Sequence, residues 1–138
     1  MVAQSAANYR ILPGLPADGP LAKLFPSSEE WSFGEGLVVE FYPGSDHSWV
    51  GNFECGGAGI EGVFALDHLL LVVATGDGYL IDPETGACYY EERWNIQQVL
   101  TLEPLGLLIS NGIWIDRLSR THLVWRTKRI SWDEMRSL

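Results

Sequence analysis

Basic side chains are scarce: nine Lys and Arg stand against 18 Asp and Glu in 138 residues, a formal net charge of −9. A surface this negative repels phosphates, so nucleic acid is not an expected partner. Long apolar runs are missing too. A bilayer span needs about 20 consecutive apolar residues, and the longest run, Leu69 to Thr75, falls well short. No membrane insertion is expected. Residues 1–10, MVAQSAANYR, carry one Arg and no apolar stretch of the roughly 7–15 residues that a secretory signal needs. The expected location is the cytoplasm. Cysteine is limited to Cys55 and Cys88, too few for a disulfide framework, and in a reducing compartment both read as reduced, buried thiols. Histidine is limited to His47, His68 and His122. None of these residues forms an HxH, HExxH or CxxC spacing that would bring ligands onto one face, so neither a metal nor a cofactor is expected.

What is present is core-forming material. Apolar residues make up 46% of the chain and aromatic residues 12%, with 15 glycines, a composition that excludes a disordered chain and a coiled coil and fits one domain. Four of the seven prolines, Pro13, Pro16, Pro20 and Pro26, fall in the first 26 residues. Proline lacks the N–H that a helix interior or a central strand needs. Residues 1–36 therefore read as an N-terminal arm packing on the domain, with at most a short helical turn over Leu21 to Phe25. Residues 37–138 read as a single β domain. Short β-branched and aromatic runs alternate with glycine-bearing turns there, giving strand candidates at Leu37–Tyr42, Ser48–Phe53, Leu69–Thr75, Tyr79–Asp82, Ala87–Glu91, Ile96–Leu102, Leu107–Ser110, Ile113–Asp116 and His122–Arg126. The run LLLVVAT is apolar on consecutive positions, so that strand should be covered on both faces. Asp82-Pro83-Glu84-Thr85-Gly86 is a hairpin turn signal, with proline presetting the first corner and glycine supplying the positive φ.

Two segments repeat, Ile60–Asp82 and Ile96–Asp116. Ile60, Val63 and Leu66 match Ile96, Val99 and Leu102 at a spacing of 36, and after a two-residue gap Gly78, Ile81 and Asp82 match Gly112, Ile115 and Asp116 at 34. A period of this size marks a repeated supersecondary unit. The order strand, turn, strand, glycine turn, strand ending in Ile-Asp resembles a β-propeller blade, and VVATGDGYLIDPETGA resembles the quinoprotein-type repeats. The resemblance covers residues 60–116 and implies blade-like meanders. The tryptophan-docking position after Gly86 is occupied by Ala87-Cys88-Tyr89-Tyr90, so no quinone cofactor is implied. Two copies cannot close a propeller of four or more blades. The expected fold is therefore all-β: antiparallel meanders with propeller-blade-like repeats, in an open or sandwich-like arrangement beside the proline-rich N-terminal arm.

Charge is divided along the chain. Residues 1–116 hold 16 acidic and 3 basic side chains, a net −13, whereas residues 117–138 hold 2 acidic and 6 basic, a net +4. An acidic body steers towards a basic partner, and complementary ends can pair between copies. Trp125 and Trp132 bracket Arg126, Lys128 and Arg129, the aromatic–arginine composition favoured at protein interfaces. The leading expectation is a non-enzymatic interaction module, self-associating or neutralising a basic protein, a composition similar to that of bacterial immunity-type proteins. The alternative is a small all-β enzyme or ligand binder using the region from Asp46 to Gly59. Asp46, His47, Trp49 and Cys55 are its candidate residues, with His47 or Cys55 as the reactive group, and the amides of Gly56, Gly57 and Gly59 as an anion nest. Asp46, His47 and His68 are the only candidates for a metal.

Overall fold

The computed structural model describes residues 8–18, 21–26, 35–42, 48–92, 95–102, 106–110, 115–119 and 122–126. Within them the chain is all-β. Twelve strands, β1 (Tyr9–Leu12), β2 (Lys23–Phe25), β3 (Leu37–Phe41), β4 (Trp49–Phe53), β5 (Gly62–Leu66), β6 (Leu69–Ala74), β7 (Asp77–Ile81), β8 (Cys88–Glu92), β9 (Gln98–Leu102), β10 (Gly106–Ser110), β11 (Ile115–Ser119) and β12 (His122–Arg126), form three four-stranded sheets. The first has the order β1-β3-β4-β2. The second is the meander β5-β6-β7-β8 and the third the meander β9-β10-β11-β12. Every pairing is antiparallel except that of β2 with β4. Among the described residues none of the sheets closes on itself.

The second sheet is the middle layer. One of its faces, Leu70, Val72, Ala74, Tyr79 and Ile81, joins Phe25, Val39, Phe41 and Phe53 of the first sheet in one core. Its other face, Leu69, Leu71, Val73 and Leu80, joins Leu107, Ile109 and Leu118 of the third sheet in a second core. Every residue of β6 and β7 is buried. That double cover is why the run from Leu69 is apolar at consecutive positions rather than alternate ones. Each fully buried Leu there contributes about 1.5–3 kcal/mol. On the third sheet, by contrast, Leu100 of β9 is 49% exposed.

The described part of the N-terminal stretch pairs into the first sheet. Residues 9–12 and 23–25 supply both edge strands of the first sheet. The helical turn expected over Leu21 to Phe25 is replaced by β2, because the buried Phe25 ring stacks on Phe53 with centroids 4.6 Å apart. Tertiary burial outweighs the local preference. Prolines sit where the ladder does not need their N–H: Pro13 directly follows β1 and Pro26 directly follows β2.

The repeat holds in part. Val63 and Val99 occupy the second position of β5 and of β9, as the spacing of 36 requires. The spacing of 34 is not kept, since Ile81 ends β7 whereas Ile115 begins β11. The register explains the difference. Ala74 faces Asp77 across a two-residue connection, whereas Ser110 faces Ile115 across four residues. The second copy is thus longer at this turn, not shorter.

Candidate functional site

Within the region from Asp46 to Gly59, the described residues place Trp49 at a cleft and Cys55 at the start of a glycine cluster. Asp46 and His47 lie outside them. Trp49 lines a cleft beside the first sheet and also holds the fold. Its indole N–H donates to the Pro83 carbonyl at 2.8 Å and its ring stacks on Phe41, centroids 4.4 Å apart. Lys23 donates to the Gly86 carbonyl at 2.9 Å. Together they clasp the β7–β8 turn to the first sheet. That turn is built as its sequence indicates, with Asp82 Oδ1 accepting the Glu84 N–H at 2.9 Å and Gly86 at φ +78°.

Cys55 and Cys88 are both free and exposed, contrary to the expected burial. Cys55 precedes a glycine cluster that serves close backbone packing. The Gly56 N–H donates to the Ala74 carbonyl, and a Cβ on Gly76 would come within 1.8 Å of the Ala58 carbonyl oxygen. The Gly56 amide is therefore committed to the fold rather than offered to an anion. Cys88 lies in a depression of about 370 Å³ with Lys23 and Tyr89. Partial desolvation there pushes its thiol up from the ordinary value, which makes it a poor nucleophile at neutral pH. His68 contacts Asp67 at 3.2 Å, and no group of three metal-ligating side chains occurs among the described residues. Trp125 and Arg126 stand in β12 opposite Arg117 and Asp116, while Lys128, Arg129 and Trp132 lie outside the described residues.

A cleft of about 740 Å³ lies beside the first sheet and takes in Ser48, Trp49 and Val50. Arg10 and Leu12 of β1, Glu40 of β3, and Trp49 and Val50 of β4 with the preceding Ser48 line it from the sheet, and the loop from Pro13 to Asp18 with Leu21 and Glu35 completes it. The pleat produces this wall. Arg10 faces Glu40, which faces Val50, so all three project from the same side of the sheet. Residues 37, 39 and 41 alternate with them and enter the first core.

Glu40 is the hub of the wall. Its Oε1 accepts Arg10 Nη2 at 2.8 Å and the Tyr42 hydroxyl at 2.8 Å, and its Oε2 accepts the Ser48 hydroxyl at 3.3 Å. The Tyr42 hydrogen bond first, and the Arg10 hydrogen bond next, hold the Glu40 carboxyl below its ordinary value. The same contacts raise Tyr42 and Arg10 above theirs. Across the cleft, Glu35 Oε2 accepts the Leu15 N–H at 2.8 Å and ties the loop down. Gly14 lies beside this contact, where a Cβ would stand 2.9 Å from Glu35 Oε2.

The arrangement suits binding better than proton transfer. A carboxylate with a lowered pKa and both oxygens engaged is a weak base at neutral pH, and Ser48 has a carboxylate rather than an imidazole as its partner. Three carboxylates, Asp18, Glu35 and Glu40, share the cleft with one guanidinium, and Leu12, Leu15, Leu21 and Val50 supply apolar surface. Of the sequence candidates among the described residues, Trp49 lines this cleft; the rest of the site escapes a sequence reading because it rests on Arg10 and Glu40 meeting across two strands. Alternation of Arg10 with Tyr9 and Ile11 is the available signal, hidden by the nearby prolines.

No helix among the described residues is long and apolar enough to cross a membrane. No known protein family, no curated protein and no solved structure matches the chain.

Proposed function

We propose that this protein is a non-enzymatic interaction module that binds a basic polypeptide segment in the cleft beside the first sheet. The observation that carries the reading is the composition of that cleft: three carboxylates against one guanidinium, next to leucines that remain open to solvent. Leu21 is 97% exposed and Leu15 39%. Apolar side chains presented to water beside like charges mark an interaction surface, with the charges setting partner choice and encounter rate. The net −13 of residues 1–116 acts in the same direction.

The three sheets fit a reading as blade-like units in an open stack. Support comes from four strands per sheet and from neighbouring sheets packing through shared cores. A closed propeller has at least four blades, so a three-sheet stack keeps two outer sheets available to partners. Two free, exposed thiols fit a reducing cytoplasmic setting.

The test is a titration of the full chain with a lysine- and leucine-containing peptide and with its glutamate counterpart. The basic peptide should bind, more weakly as salt rises, and the acidic one should not. The double variant Asp18→Lys, Glu35→Lys should lose about tenfold or more in affinity for the basic peptide. Equal affinity for both peptides, or no effect of the charge reversal, would falsify the cleft as the binding surface.

A further inference from the structure

The cleft borders β1, an edge strand among the described residues, and we infer that the basic segment binds by adding itself as an antiparallel strand to β1, an inference that rests on the interaction reading above. The register decides which backbone groups of β1 are available. The Tyr42 N–H donates to the Asn8 carbonyl at 2.9 Å, and Arg10 and Leu12 stand opposite Glu40 and Val38. Antiparallel pairs exchange their bonds at alternate residues. Arg10 and Leu12 therefore direct their N–H and C=O groups to β3, whereas Tyr9 and Ile11 direct theirs away from the sheet. Among the described residues no strand pairs with that edge. Natural edges are commonly blocked by proline, lysine or a bulge. The sequence of β1, YRIL, has neither residue and pairs with β3 without a bulge. Ile11 is 43% exposed beside it.

The pleat then states what the partner must look like. An incoming residue opposite Ile11 exchanges both backbone bonds with it and lays its side chain against the Ile11 side chain. The residues before and after it project to the opposite face, the one that carries Arg10, Glu40 and the cleft. Arg10 is already neutralised by Glu40 at 2.8 Å, so the charge left over on that face belongs to Asp18 and Glu35. The partner is an extended segment in which apolar residues alternate with Lys or Arg. Main-chain bonds supply affinity and the alternate side chains supply specificity.

The experiment titrates the full chain with a short peptide of alternating Val and Lys in three forms: unmodified, N-methylated on the Val amides, and N-methylated on the Lys amides. In the antiparallel geometry only the Val amides point at β1. Methylation there should weaken binding about tenfold or more, and methylation of the Lys amides should change it by less than about threefold. The variant Ile11→Pro removes an outward N–H without touching the β3 ladder. It should bind the unmodified peptide several times more weakly while unfolding at nearly the same denaturant concentration. Equal binding of all three peptides overturns strand addition and leaves the cleft as a plain groove. A larger loss from methylating the Lys amides overturns the antiparallel register. Binding by none of them overturns the cleft reading as well. A dimer in light scattering that Ile11→Pro converts to a monomer overturns the proposal by placing a second copy on the edge.

Discussion

The first and second sheets are built from the same number of strands and present opposite problems to their surroundings. In the second sheet β6 and β7 are buried throughout, with one core on each side. In the first sheet β3 shows the same residue types, yet Glu40 interrupts them and faces the cleft with Arg10. Antiparallel pairing on both sides of β3 and of β6 thus accompanies full burial in one place and a cleft wall in the other. What separates them is that β6 and β7 meet a core on each face, whereas Glu40 of β3 borders a cleft. A covered face must be apolar, because an unpaired polar group there costs about 1–3 kcal/mol. A face open to a cleft can hold charge, provided that the charges satisfy one another as Arg10, Glu40, Tyr42 and Ser48 do.

The largest effect is expected at the middle layer. Replacing Leu71, which is fully buried in the second core, by Ala should lower the unfolding free energy by about 2–5 kcal/mol, measured by urea titration with the slope unchanged. A loss below about 1 kcal/mol would mean that the second sheet is not the covered layer. A smaller effect is expected where the two sheets are clasped. Trp49→Phe keeps an aromatic ring on Phe41 but removes the donor to the Pro83 carbonyl. The cost should be about 1–2 kcal/mol, seen as a lower thermal midpoint.

The smallest effect belongs to the cleft and appears as a pH dependence. The folded pKa of Glu40 lies below its ordinary value of 4.5, through hydrogen bonds from Tyr42 and Arg10. A lowered folded pKa contributes stability that is fully present above the unfolded value and is lost as pH falls through the folded one. The stability difference between the wild-type chain and Glu40→Gln should therefore be constant from neutral pH down to about pH 5 and shrink on further acidification. A difference that grows towards acid pH would show that the Glu40 network does not favour the charged carboxylate.

Much of the second sheet is legible in the sequence. The run at Leu69 announces a doubly covered strand, and Asp82-Pro83-Glu84-Thr85-Gly86 announces the turn that follows β7, because both signals are local. β5 is not legible as a separate strand; its residues are only partly buried before Leu66, which weakens the pattern. β1 and β2 are hidden for a different reason. Their prolines are loop residues placed at strand ends, and the strands themselves exist because β3 and β4, far along the chain, offer partners. The aromatic–basic segment around Trp125 and Arg126 reads clearly as composition, and the structure adds the backbone pairing of β12 with β11.

The amino-acid sequence by itself determined that this protein is all-β, that it carries a strongly negative body, and that one strand would be buried on both faces. Those properties depend on composition, on turn chemistry and on the spacing of neighbours along the chain. Tertiary structure decided where the proline-rich stretch goes, that Trp49 holds a turn as well as lining a cleft, that both thiols face solvent, and that Arg10 meets Glu40. Each of these is a contact between segments well separated in sequence or an exposure set by neighbouring layers. Such contacts depend on which strand pairs with which, and on what covers each sheet, neither of which is encoded in any local run of residues.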